Sequence, residues 1–257
     1  MAEVNSYAPG TPSWVDLTTS DPEGARRFYG GLFGWDFDIG SAETGHYTSC
    51  LLRGHRVAGI GGEPAPDGLP TAWTTYIATA DADATAKLVA DNGGTLTMEP
   101  FDVMRLGRMF VASDPTGAVF GSWQAGEHHG AQLVNEPGTL TWNELYTRDL
   151  DRAREFYGNV YGYTWQRLDT PGSRYFTFAV DGKVVGGSME MDDTWPADLP
   201  THWMTYFAVA DTDATVARAE ELGGAISVPP TDSPQGPFAV LRDPQGGAFS
   251  VIQSQPG

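Results

Sequence analysis

The chain has 257 residues, with 15 Lys or Arg against 33 Asp or Glu, so its formal net charge is −18 and its pI lies near 4.4. Such a surface repels phosphate backbones and anionic lipid, which argues against nucleic-acid and membrane partners. Cys50 is the single cysteine, so no intrachain disulfide forms and no oxidising compartment is demanded. The opening MAEVNSYAPGTPSW lacks the basic and apolar regions of a signal peptide. No apolar run approaches the ~18 residues of a membrane span. A cytoplasmic protein is expected.

In chain order, residues 13–19 alternate as a strand. Asp21-Pro22 then supplies an N-cap and first-turn proline for a helix. Ala25, Phe28, Tyr29 and Leu32 fall on one face of that helix, and Gly34 ends it. Three strand-like runs follow: WDFDI, HYTSCLLRG and RVAGIG. The pattern restarts with the strand WTTYIATA, the helix DADATAKLVADNGG and the runs GTLTMEP, RMFVASD and AVFGSWQ. The whole order then repeats. Residues 10–34 align without gaps at an offset of 128, identical at 12 of 25 positions, and PTAWTTYIATADADAT matches PTHWMTYFAVADTDAT at 11 of 16. DPTGAVF from Asp114 returns as DPQGGAF from Asp243.

The fold class expected is therefore α+β, with four tandem βαβββ modules forming two domains, 10–125 and 138–254. Residues 126–137, polar and Gly-containing, are the expected linker. Each helix should lie across one face of a curved mixed sheet, outside a concave cup. In the first strand Val15 and Leu17 suit the helix face, so Trp14 and Asp16 should look into the cup. Trp142 and Glu144 are their counterparts. A carboxylate is costly to bury under a helix, which supports this assignment.

The helix motif D-P-x-x-A-R-x-F-Y-x-x-L-F-G-W and the turn D-P-x-G-x-x-F together resemble the vicinal oxygen chelate superfamily. That group spans glyoxalase I, extradiol dioxygenases and bleomycin- and fosfomycin-resistance proteins. The chain looks most like its two-domain, glyoxalase-like members, and the resemblance covers nearly all of it. Metal-using members would place first-strand ligands at Trp14 and Trp142, last-strand ligands at Gly121 and Ser250, and module-opening ligands near Thr75 and Thr205. None of these is a His or a carboxylate, so no metal and no other cofactor is expected.

Asp16 and Glu144 are the candidate catalytic acids, as general bases or as acceptors for a substrate hydroxyl or amine. Trp14, Thr75, Gly121, Trp123, Trp142, Thr205 and Ser250 are the candidate ligand-binding set. Trp123 is expected to stack on a flat ligand, and Gly121 and Ser250 to leave room for it. Trp73 and Trp203 read either as stacking residues or as core. His128 and His129 read as solvated linker residues, His46, His55 and His202 as surface or turn residues, and Cys50 as buried and inert. The expectation is a monomeric, metal-independent binding protein for an aromatic or polycyclic small molecule. The alternative is a glyoxalase-like lyase, isomerase or oxygenase-type enzyme with Asp16 and Glu144 as acid–base groups, or with displaced metal ligands at Asp16, Glu144, His46 or Glu190.

Overall fold

The computed structural model describes residues 3–169 and 172–253; the expected end of the second domain, 254, lies outside the described residues. In the first half, β1 (Pro12–Thr18) leads to α1 (Pro22–Phe33), then β2 (Asp36–Ile39), β3 (Thr48–Leu52) and β4 (His55–Ile60). The second module follows as β5 (Ala72–Thr79), α2 (Ala82–Asp91), β6 (Thr95–Val103), β7 (Gly107–Ser113) and β8 (Val119–Ala125). The second half repeats this as β9 (Leu140–Thr147), α3 (Leu150–Tyr161), β10 (Thr164–Leu168), β11 (Tyr175–Val180) and β12 (Lys183–Glu190). It closes with β13 (His202–Ala208), α4 (Thr212–Glu221), β14 (Ala225–Thr231), β15 (Phe238–Arg242) and β16 (Ala248–Ile252).

Each half makes its own open eight-stranded sheet. The first runs β2-β3-β4-β1-β5-β8-β7-β6, and the second has the same order. The first strands of the two modules, β1 and β5, pair antiparallel at the centre, and β4 and β8 flank them in parallel. The cups are therefore formed within each half.

The helices begin where a side-chain acceptor is available. Asp21, Asp81, Asp149 and Asp211 each accept a hydrogen bond from the backbone N–H three residues on, at 2.9–3.1 Å. Gly34 and Gly162 end α1 and α3 in the left-handed region, at φ 72° and 71°.

The convex, helix-bearing faces are not left to solvent; each half packs its helices on the other half. One core joins Val15, Phe28 and Tyr29 of the first module to Phe207, Val216 and Phe249 of the fourth. A second core joins Ile77, Ala86 and Phe120 of the second module to Leu145, Phe156 and Phe178 of the third. Polar contacts across this seam are reciprocal. Trp35 Nε1 donates to the Gly138 carbonyl at 2.8 Å, and Tyr163 Oη donates to the Gly10 carbonyl at 2.7 Å. Tyr29 Oη donates to Asp243 of the second half's D-P-x-G turn at 2.9 Å, and Trp73 Nε1 donates to Tyr29 at 2.9 Å. Trp203 donates likewise to Tyr157, which faces Asp114 of the first half's turn. The two sequence motifs of each half are thus partners across the seam. Trp73 and Trp203 belong to the core.

Candidate functional site

Strand parity carries the same residue types into both cups. On β1, Trp14 and Asp16 face inward, and on β5 Tyr76 stands opposite Trp14 in register. Trp14 Nε1 donates to Tyr47 Oη at 3.0 Å, and Tyr47 Oη donates to Asp16 Oδ2 at 3.3 Å. Tyr76 adds a second phenol beside the same carboxylate. Burial pushes the Asp16 carboxyl from 3.8 up to about 6, against the opposing pull of the two phenols. Burial also raises Tyr47 and Tyr76 far above the ordinary phenol value, helped by the negative charge of Asp16.

The second cup has the corresponding cluster and one phenol more. Glu144, only 4% exposed, accepts from Tyr146 Oη at 2.5 Å and from Tyr206 Oη at 2.7 Å. The two hydroxyls lie 2.7 Å from each other. Tyr175 approaches the same carboxylate, and Trp142 approaches Tyr175. Desolvation followed by the Glu144 charge lifts Tyr146, Tyr206 and Tyr175, so all three stay protonated as donors. Trp195 covers one edge, its ring 5.3 Å from that of Tyr146.

Two glycines make these clusters possible. A Cβ on Gly59 would lie 1.8 Å from the Tyr47 hydroxyl oxygen, and one on Gly187 would lie 2.1 Å from that of Tyr175. Both sit in the strand beside the acid, where only a bare backbone lets the phenol cross.

The cups differ in what fills them. Over the second lies a cavity of about 970 Å³ bounded by Trp142, Glu144, Tyr175, Tyr206 and Phe238, with Tyr7 and Val134 contributing to one wall. Over the first, Trp14, Tyr76 and Trp123 pack against Ala131 and Val134 of the segment joining the halves.

Of the residues singled out in the sequence, the structure brings Trp14 and Asp16 together in one cup and Trp142 and Glu144 together in the other. Thr75 and Thr205 fall outside both. They lie on the helix-bearing face, where Thr75 Oγ1 donates to Asn143 Oδ1 of the other half at 2.8 Å. The module-opening residues that face the cups are their neighbours Tyr76 and Tyr206. Gly121 does not leave open space, because a Cβ there would sit 2.2 Å from the Tyr76 ring. Ser250 is fully buried beside Tyr206. Trp123 faces the first cup, but its Nε1 donates to the His128 carbonyl at 2.8 Å and the joining segment covers it.

The linker is not the solvated tether its polar composition implies. Ala131, Leu133 and Glu136 are buried, and His128 stands edge-on to Trp14 with ring centroids 4.4 Å apart. Burial, with Arg56 and His129 nearby, pushes His128 down to about 4. His46 is exposed, whereas His202 lies against Tyr146. Cys50 is buried, and burial raises its thiol well above 9.

The tyrosines were missed from the sequence, although a signal was present. Tyr47 and Tyr175 recur at the repeat offset of 128, as do Gly59 and Gly187 on the strand they cross.

The donor set does not suit a divalent ion. At the floor of each cup a single carboxylate sits among phenols whose pKa burial drives upward, and the Tyr76 ring lies over Gly121. Among the described residues no three His, Cys, Asp or Glu side chains converge. Glu190 pairs with Arg174 at 3.1 Å instead of joining Glu144.

Comparison with known proteins agrees with this architecture. The model of the glyoxalase/bleomycin resistance protein/dioxygenase superfamily matches residues 11–121 and 139–251, and the chain belongs to that superfamily. CFP32 of Mycobacterium tuberculosis, provisionally named a glyoxylase, is 45% identical over 100% of this chain and 99% of its own. The anthracycline biosynthesis protein DnrV of Streptomyces peucetius is 38% identical over 99% of this chain and 97% of its own. The 2,3-dioxygenase LapB of Pseudomonas sp. KL28 shares the fold, with a TM-score of 0.65 at 16% identity over 97% and 94% of the two chains. Among the described residues no helix is long and apolar enough to cross a membrane.

Proposed function

We propose that this chain is a cytoplasmic, monomeric binding protein that holds a neutral or cationic polycyclic aromatic molecule in its second cup without a metal ion. The observation that carries this reading is the cavity of about 970 Å³, at the upper end of small-molecule pockets. Flat faces from Trp142, Tyr175 and Phe238 suit a planar ring system. At its floor the Glu144 carboxylate, and the oxygens of the phenols that donate to it, accept from ligand hydroxyl or N–H groups. Glu144, Asp169 and Asp232 line the space, and no Lys, Arg or His does so among the described residues. An anionic ligand meets only like charge there. The relative named for anthracycline biosynthesis supports an oxygen-rich polycycle.

Titration with a dihydroxyanthraquinone, followed by tryptophan quenching and calorimetry, tests the reading. The expected result is one equivalent bound by the wild type, an affinity loss of tenfold or more in Trp142→Ala, and weaker binding of the sulfonated anthraquinone at low salt. Absence of binding, or a preference for the sulfonate, refutes it.

A second reading, acid–base catalysis in the same cup, is favoured by the burial of a carboxylate among three hydroxyl donors. It requires Glu144→Gln to abolish turnover of a bound phenolic or keto-enolic substrate while affinity is kept.

A further inference from the structure

The halves are alike in sequence, yet the joining segment packs onto the first cup, while the large cavity described above lies over the second. Four residues of the first cup that correspond to cavity-lining positions are Trp14 for Trp142, Tyr76 for Tyr206, Met109 for Phe238 and Trp123 for Ile252. All four belong to one apolar cluster with Ala131 and Val134 of the joining segment. His128 leads that segment in, its ring edge-on to Trp14 and 5.5 Å from the Trp123 ring centroid. Trp123 also donates to the His128 carbonyl.

The segment is held there by the first half and the N-terminal residues. His128 N donates to the Leu106 carbonyl, Ala131 N to the Ser13 carbonyl and Gln132 N to the Arg56 carbonyl. Tyr7 Oη donates to the Ala131 carbonyl at 2.6 Å. Beneath it the Trp14–Tyr47–Asp16 chain is complete, the same arrangement of indole, phenol and carboxylate that floors the open cup.

The geometry points to the first cup as a second aromatic-ligand site whose occupant is the chain's own linker, with the His128 imidazole in the place of a planar ring. This rests on the proposed aromatic binding in the second cup only for the ligand class. The site itself follows from the matched residues and the segment lying on them. His128 is neutral at physiological pH, which lets an imidazole lie against two indoles without a buried charge; the titratable groups acting on it are Arg56 and His129.

The test is His128→Gly, which vacates the space while leaving the backbone contacts. Indole is the probe, because it needs no knowledge of the physiological ligand. Thermal unfolding is measured with and without millimolar indole in the wild type and in the variant. The expected result is a lower Tm in the variant, a rise with indole that exceeds by several degrees whatever the second cup contributes in the wild type, and loss of that excess in His128→Gly/Trp14→Ala. A variant that folds but gains no more from indole than the wild type overturns the inference. If His128→Gly does not fold, Trp123→Ile, which copies Ile252 and opens space beside the imidazole, is measured the same way with the same two outcomes. Anthraquinone titration of the wild type reports on the second cup alone, so failure of either reading is seen separately.

Discussion

Asp16→Asn should make the protein more stable at neutral pH. The folded carboxyl releases its proton near 6, against 3.8 in the unfolded chain. Between those values the folded state holds the extra proton, so stability falls as pH rises through the window and the penalty is complete above it. The difference between 3.8 and about 6 is worth roughly 3 kcal/mol. The same linkage leaves about half of that at pH 5. Asparagine keeps an oxygen to accept from Tyr47 while removing the charge. Urea unfolding of wild type and variant at pH 8 and pH 5 measures both gaps, and effects of the overall charge of −18 largely cancel between the two proteins. The expected gap is about 3 kcal/mol in favour of the variant at pH 8, shrinking to about half at pH 5. A gap that does not change with pH, or a variant less stable at pH 8, refutes the assignment of a desolvated carboxylate.

Tyr29→Phe leaves the Trp73 N–H and an Asp243 oxygen without their shared partner. At about 1–3 kcal/mol for each buried orphan, the loss is roughly 2–6 kcal/mol by urea unfolding, and a loss below about 1 kcal/mol refutes the role of the seam. Tyr157→Phe is expected to lose less, since Asp114 Oδ2 already lacks a hydrogen-bond partner. Gly187→Ala places a methyl 2.1 Å from the Tyr175 hydroxyl and 3.1 Å from Trp142 Nε1. It should weaken dihydroxyanthraquinone binding at least tenfold while costing about 1–3 kcal/mol of stability; unchanged affinity refutes the placement of Tyr175 in the site.

Much of this molecule is local, and local features are legible in a sequence. Asp21, Asp81, Asp149 and Asp211 announce helix starts because an aspartate caps within three residues of itself. The repeat announces four modules because each is a short-range unit of strand, helix and three strands. Period-two alternation assigns Trp14 and Asp16, and likewise Trp142 and Glu144, to one face of a strand. What parity cannot follow is an irregularity: pairing shifts between Pro12 and Trp14 in β1 and between Tyr206 and Phe207 in β13. Thr75 and Thr205, by contrast, share the helix-facing parity of Trp73 and Trp203, and the cup-facing residues are their neighbours Tyr76 and Tyr206.

Tertiary structure alone decided the rest. Each carboxylate meets phenols distant in sequence: Tyr47, just before β3, reaches Asp16 across Gly59 of the intervening β4, and Tyr206 comes from β13 beside β9, 62 residues from Glu144. The D-P-x-G aspartates find their tyrosines in the opposite half, 214 residues apart for Tyr29 and Asp243. The joining segment carries too few apolar residues to look like core. It becomes core because the aromatic cup it passes has apolar surface to cover, and Ala131, Val134 and His128 are what the chain presents there. That contact, invisible to composition and periodicity alike, is what makes two similar halves unequal.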